Sequence, residues 1–180
     1  MFKKMDLLTK TGIVILGFLG DNPTKSFYEK EIAKETRLST GAVNNYMRRF
    51  RSRGVVTYEK RGKTSLYTIN LDSFLARELK ALLNVIRLEE FIKEVKNISK
   101  RITLFGSVAQ GTDLEESDVD IFILSSESKD KFSKAIAKAE SRIHKKINLI
   151  IVSPAELTRL REEPIYKNIQ KGKVLWNETR

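Results

Sequence analysis

Leu104-Phe105-Gly106-Ser107-Val108-Ala109-Gln110-Gly111-Thr112-Asp113-Leu114-Glu115-Glu116-Ser117-Asp118-Val119-Asp120-Ile121-Phe122-Ile123 reads as a strand, a tight turn into a helix, a loop and a second strand. The first strand is the short apolar run Ile102–Phe105, and Gly106-Ser107 then lets the backbone turn and come close to a ligand. A helix that starts there offers free N–H groups and its positive end, which together favour phosphate. Ten residues separate Ser107 from Asp118, and Asp118 and Asp120 are two apart, so both side chains take one face of the second strand, Val119–Leu124. Adjacent carboxylates repel unless a cation lies between them. Two-metal sites hold ions roughly 3.5–4 Å apart over a phosphoryl group, and Mg²⁺ takes hard oxygen ligands completed by water and substrate phosphates. Solvation of a strand end would explain the two carboxylates but not the Gly-Ser at this distance from them.

Downstream, the pattern predicts a charged helix at about Lys129–His144 and a strand at Lys146–Val152. A helix from Ala155 to about Arg161 with Pro154 in its first turn and a last strand at Gly172–Trp176 complete the pattern. Alternating strands and helices imply a small α/β layer structure. Upstream, Asp72 to about Ile98 carries one long helical pattern without Gly or Pro. Leu75, Leu79, Leu82 and Ile86 are followed by Leu88, Phe91, Ile92 and Val95. It reads as a connecting helix, part of whose apolar face packs on the second domain.

Residues 6–20 predict a first helix, ended by Gly20-Asp21-Asn22-Pro23. A second is predicted from Tyr28 to about Thr36. A third runs to about Arg51 with Ser39 as its N-cap. Two strands, 55–59 and 65–69, flank the turn Lys60-Arg61-Gly62-Lys63. This order is that of a winged helix-turn-helix. On the third helix Val43, Tyr46, Met47 and Phe50 make one inward face. Thr40, Asn44, Asn45 and Arg48 are the expected base readers, since Asn pairs with adenine and Arg with guanine by two hydrogen bonds each. Arg49, Arg51 and Arg53 suit phosphates, as do Lys60, Arg61 and Lys63 at the tip of the hairpin.

Charge follows the same division. The chain of 180 residues carries a formal +11, and residues 1–70 hold 14 Lys/Arg against 6 Asp/Glu. Such a balance points to a polyanionic partner, here double-stranded DNA. With no cysteine, disulfide frameworks and thiolate metal sites are excluded. The longest apolar run, Ile13–Gly20, is far short of the roughly 20 residues of a membrane span. Lys3 and Lys4 precede it without a following cleavage site, so the reading is a cytoplasmic protein with no membrane association. His144 and Tyr166 are expected at the surface and in packing respectively, and Trp176 in packing.

Gly-Ser, ten residues, Asp-x-Asp between two apolar strands resembles the minimal nucleotidyltransferases. These are relatives of the polymerase-β-type superfamily, similar to antibiotic nucleotidyltransferases and to antitoxin partners of some toxin systems. The resemblance covers about residues 100–152 and takes in Ala109, Gly111 and Ser117. It implies that Gly106 and Ser107 bind the nucleoside triphosphate, ATP or another NTP. It also implies that Asp118 and Asp120 are catalytic and hold Mg²⁺ or Mn²⁺, and that an acceptor hydroxyl attacks the α-phosphate as pyrophosphate leaves. One departure stands out. The family places a third acidic residue on the next strand, where this chain has Asn148. An amide offers a neutral oxygen but takes no proton at neutral pH. A slow enzyme, a nucleotide sensor and an inactive scaffold all stay open.

The expected architecture is thus two domains. An α+β winged helix-turn-helix at 1–70 is joined through a connecting helix at 71–98 to a nucleotidyltransferase-like α/β domain at 99–180, a mixed sheet with flanking helices. The expected function is a DNA-binding regulator that transfers a nucleoside monophosphate to an unknown acceptor, a partner protein such as a toxin among the candidates. The alternative is a transcriptional regulator without enzymatic activity, whose second domain senses nucleotide or makes a homodimer.

Overall fold

Thr9 starts the first helix: its hydroxyl accepts from the Gly12 N–H at 3.2 Å and opens α1 (Lys10–Asp21). The computed structural model describes residues 7–62 and 64–178, so Lys3, Lys4, Asp6 and Lys63 lie outside the described residues. The chain divides into two units, Met1–Lys80 and Ala81–Arg180, with the boundary inside one helix.

In the first unit α1 is followed by β1 (Phe27–Tyr28), α2 (Glu29–Thr36), α3 (Thr40–Ser52), β2 (Val56–Arg61) and β3 (Thr64–Ile69). Ser39 caps α3 as expected, accepting from the Ala42 N–H at 3.2 Å. Val43, Met47 and Phe50 are fully buried with Ile15, Leu19 and Ile32. Each such side chain contributes about 1.5–3 kcal/mol, and this shared core is what holds three short helices together. Tyr46 only half joins it, because its hydroxyl needs a polar partner and finds Thr9. The antiparallel sheet has the order β1-β3-β2. A two-residue strand has no periodicity to read, so β1 was invisible to the pattern. The β2–β3 ladder continues to the pair Arg61–Thr64. Lys60 and Arg61 are therefore strand residues rather than turn residues.

The long helical pattern is two helices, α4 (Phe74–Arg87) and α5 (Glu89–Val95), closed by a 3₁₀ turn at Lys96–Ile98. The break at Leu88 needs neither Gly nor Pro. Its N–H bonds the Val85 carbonyl three residues back, and the bend buries Leu88, Phe91 and Val95 in the second core. Leu75, Leu82 and Ile86 of the same pattern are exposed.

The second unit continues as β4 (Arg101–Phe105), α6 (Gly106–Gln110), β5 (Val119–Leu124), α7 (Ser133–Ile143) and β6 (Ile147–Val152). It ends with α8 (Leu157–Leu160), α9 (Pro164–Gln170) and β7 (Lys173–Asn177). The charged helix expected at 129–144 opens with a 3₁₀ turn at Lys129–Phe132. The helix expected at 155–161 is one turn, and α9, started by Pro164 at its first turn, was not expected. Gly172 closes the sheet: a Cβ there would stand 2.5 Å from the Leu104 carbonyl oxygen, so β7 can pair with β4 only because the residue is glycine.

The sheet is mixed, in the order β6-β5-β4-β7, with β5 and β6 parallel and the other pairs antiparallel. Alternation divides its residues between two cores. Ile102, Leu104, Val119, Ile121 and Ile123 pack with Phe91, Val95, Phe132, Ala135 and Ala139 on one side. Phe105 and Phe122 pack with Leu160 and Ile169 on the other, with Ile150, Ile165 and Tyr166 around them. This is a sheet flanked by helices. Trp176 packs as expected, and its indole N–H donates to the Ser99 carbonyl at 3.3 Å. Among the described residues no helix is long and apolar enough to cross a membrane.

Candidate functional site

The parity that sends Val119, Ile121 and Ile123 into one core sends Asp120, Phe122 and Leu124 to the opposite face. There α8 and α9 cover Phe122 and leave the start of β5 uncovered. Asp118 shares this parity one residue before the strand and is exposed, while Asp120 is half-buried. Register then assembles the site. Asp120 pairs with Phe105, the last residue of β4, and with Asn148 on β6. Gly106 follows Phe105, so it comes to lie beside the Asp120 carboxylate.

Gly106 has φ +72°, and a Cβ there would sit 2.4 Å from Oδ2 of Asp120. Its lack of a side chain is what allows the turn and the carboxylate to share this space. Ser107 follows in α6 and is half-buried. That helix is a single turn, Gly106–Gln110, ended by Gly111 in the left-handed conformation. A single turn has little macrodipole, so the phosphate-binding case rests on its free N–H groups rather than on its charge. Asn148 donates from Nδ2 to Oδ1 of Asp120 at 3.0 Å. The residue in the third acidic position thus serves Asp120 as a hydrogen-bond donor. Glu116 is exposed and Glu115 half-buried, and no group of three His, Cys, Asp or Glu is gathered among the described residues.

Three residues that sequence reading missed support the loop leading to Asp118. Asp113 is 2% exposed and accepts from Asn84 Nδ2 at 2.9 Å, while Lys145 lies 3.5 Å from its other oxygen. Lys145 also donates to the carbonyls of Leu114, Glu115 and Ser117. One ammonium therefore gathers the whole turn, and a buried carboxylate balances its charge. The Ser117 hydroxyl closes the same turn by accepting from the Leu114 N–H at 2.9 Å. The only advance signal was Asp113 itself, an acid six residues before the strand expected at Val119.

The family pattern of the Nucleotidyltransferase domain matches residues 85–175. The chain belongs to this family. Solved structures resemble part of it. One is a toxin–antitoxin with AMP-PNP, with 23% identity and a TM-score of 0.40 over 53% of this chain and 75% of that one. A second is a tri-AMPylated Shewanella oneidensis HEPN toxin in complex with MNT antitoxin, with 20% identity and a TM-score of 0.37 over 54% and 73%. A third is the toxin–antitoxin MntA–HepT, with 20% identity and a TM-score of 0.36 over 54% and 73%. No curated protein matches the chain.

Outside the nucleotidyltransferase domain, the basic candidates lie on α3 and the β2–β3 hairpin. Thr40, Asn45, Arg48 and Arg51 are exposed, as are Lys60 and Arg61, while Asn44, Arg49 and Arg53 are half-buried. Arg51 lies 3.3 Å from the centre of the Tyr58 ring and Arg49 5.2 Å from that of Tyr46. Arg61 pairs with Glu59 at 3.1 Å. Fully exposed pairs of this kind are weak, too weak to hold Arg61 back from a phosphate. Asn44 departs most from expectation: it donates to Glu29 at 3.2 Å instead of pointing freely outward.

Proposed function

We propose that the chain is a DNA-binding regulator carrying a metal-dependent nucleotidyltransferase domain. In this reading Gly106 and Ser107 receive the triphosphate of ATP or another NTP, and Asp118 and Asp120 are the catalytic carboxylates. The observation that carries it is the shared space of Gly106 and Asp120, a turn where a side-chain Cβ would stand 2.4 Å from a carboxylate oxygen. It brings a backbone able to accept phosphate against an acid able to hold its counter-ion. Two carboxylates suit Mg²⁺ or Mn²⁺, hard ions that take one or two carboxylates and leave the rest of the shell to water and phosphate. When bound, the ion supplies positive charge against the phosphate oxygens and the leaving pyrophosphate. The protein's part is to orient the triphosphate against the Gly106 turn and to hold Asp118 at the end of the Lys145-bound loop. The exposed Asp118 and Asn148 leave the site open enough for a macromolecular acceptor, and we favour a partner protein such as a toxin.

The first unit, read as a winged helix-turn-helix at residues 1–70, would bind double-stranded DNA through α3 and the basic hairpin. Its net charge and the exposed Arg48, Lys60 and Arg61 support this. Salt titration of duplex binding is the test: each phosphate contact adds about 0.9 to the slope of log affinity against log salt. A slope near zero would remove DNA from the proposal.

A second reading is favoured by one observation, the Asn148 hydrogen bond to Asp120. It satisfies one oxygen of Asp120 with a neutral donor, which suits a regulator whose second domain senses nucleotide or forms a homodimer and transfers nothing. Nucleotide binding in the presence of Mg²⁺, without transfer to any acceptor, is the result that this reading requires.

A further inference from the structure

Three elements of the first unit converge on one carboxylate oxygen. Oε1 of Glu29, at the start of α2, accepts from Nδ2 of Asn44 on α3 at 3.2 Å and from the hydroxyl of Tyr67 on β3 at 3.0 Å. They line a cleft of about 560 Å³ together with Thr40, Arg48 and Thr64. Tyr67 is 5% exposed, so its ring is fixed by packing and its hydroxyl anchors the carboxylate.

An acidic side chain is electrostatically unsuited to this place. It lies between α3 and a basic hairpin in a segment with 14 Lys/Arg, where it would repel phosphate. Its directional effect is different. A free asparagine amide can turn either end outward, but a carboxylate only accepts, so Glu29 draws the amide nitrogen toward itself and sets the orientation. With one N–H engaged, the second N–H and Oδ1 remain side by side. That donor–acceptor pair is the complement of the N7 and N6 edge of adenine in the major groove.

We infer that Glu29 is a positioning residue that orients Asn44 to read an adenine in duplex DNA. This rests on the DNA-binding reading of the first unit. It explains why an acid is kept on a basic face: uniform attraction to phosphate is given up for discrimination at one base pair.

The test uses the full chain and its Glu29→Ala, Glu29→Gln, Glu29→Asp and Asn44→Ala variants. Preferred duplexes are selected from a random-sequence DNA pool. Competition then compares each selected duplex with copies in which single A·T pairs are changed to G·C. The wild type should discriminate at one A·T pair by about tenfold, and Asn44→Ala should lose that discrimination. Glu29→Ala should lose it too, while its affinity for unselected duplex stays equal or rises as a negative charge is removed. Glu29→Gln, which keeps an acceptor in place, should retain most of it. If the Ala variant is not folded by circular dichroism, Glu29→Asp decides, since it keeps the charge but withdraws the oxygen. Unchanged discrimination in folded Glu29→Ala or Glu29→Asp would overturn the positioning role and leave DNA binding standing. Absence of any salt-dependent duplex binding by the wild type would overturn both.

Discussion

Asn148 donates a hydrogen bond to Asp120 across 3.0 Å, at the position where the family places a third acid. The exchange replaces a repulsion by an attraction. With a carboxylate there, the site would carry one more negative charge and need a cation to relieve it; with the amide, Asp120 is already partly satisfied.

Asn148→Asp should therefore tighten Mg²⁺ or Mn²⁺ binding by roughly tenfold, an added attraction of about 1.4 kcal/mol. Without metal the same variant should be less stable than the wild type, because two neighbouring carboxylates repel. Calorimetric titration of Mn²⁺ checks the first effect and thermal unfolding in chelator checks the second. Equal metal affinity in both proteins would mean that this position does not face the ion.

Gly106→Ala should cost roughly 1–3 kcal/mol, because the residue has φ +72° and its new Cβ would collide with Oδ2 of Asp120. Nucleotide binding should fall further than stability, since the carboxylate must move away from the turn. Denaturant unfolding and nucleotide titration on the same sample separate the two. A variant as stable as the wild type that binds nucleotide normally would refute the shared-space geometry.

Lys145→Met removes the ammonium from Asp113 and from three loop carbonyls. The expected loss is roughly 2–3 kcal/mol. That is below the about 3–5 of a fully orphaned buried charge, because Asn84 still donates to Asp113. Denaturant midpoints measure it. A loss under about 0.5 kcal/mol, the size of an ordinary surface change, would show that the loop holds itself.

Tyr67 supplies a pH signature in the first unit. Burial first, and the hydrogen bond to Glu29 second, push its phenol above the ordinary range. The fold favours the neutral phenol. Its contribution to stability is therefore fully present below the ordinary phenol pKa and is lost as pH rises through the raised value. Near-ultraviolet titration of wild type against Tyr67→Phe isolates this group among the five tyrosines. Glu29→Ala should lower its pKa without bringing it back to the ordinary range, because burial remains.

Much of this was legible in the sequence, and the exceptions have physical causes. Ser39, the α3 core face and the strand at Val119–Leu124 follow from capping and periodicity, which are local. The adjacency of Gly106, Asp120 and Asn148 was only partly so: spacing suggests that the first two meet, but the strand register that brings in Asn148 is a non-local choice. The bend at Leu88 is set by the core that receives it, and nothing in residues 85–91 marks it. Asp113 and Lys145 are 32 positions apart in sequence, and their partnership exists only once β6 lies beside β5. The Glu29–Asn44 bond was missed because an outward asparagine and an acid on another helix share no pattern.

Label transfer from α-labelled nucleoside triphosphates, with Mg²⁺ or Mn²⁺, decides whether the nucleotidyltransferase domain is an enzyme. Acceptors would be the chain itself, a short RNA and a cell extract, and the control would combine Asp118→Ala with Asp120→Ala. Label should pass to an acceptor in the wild type and vanish in the double variant. Metal-dependent nucleotide binding with no transfer to any acceptor would contradict the enzyme and leave the sensor bonded through Asn148.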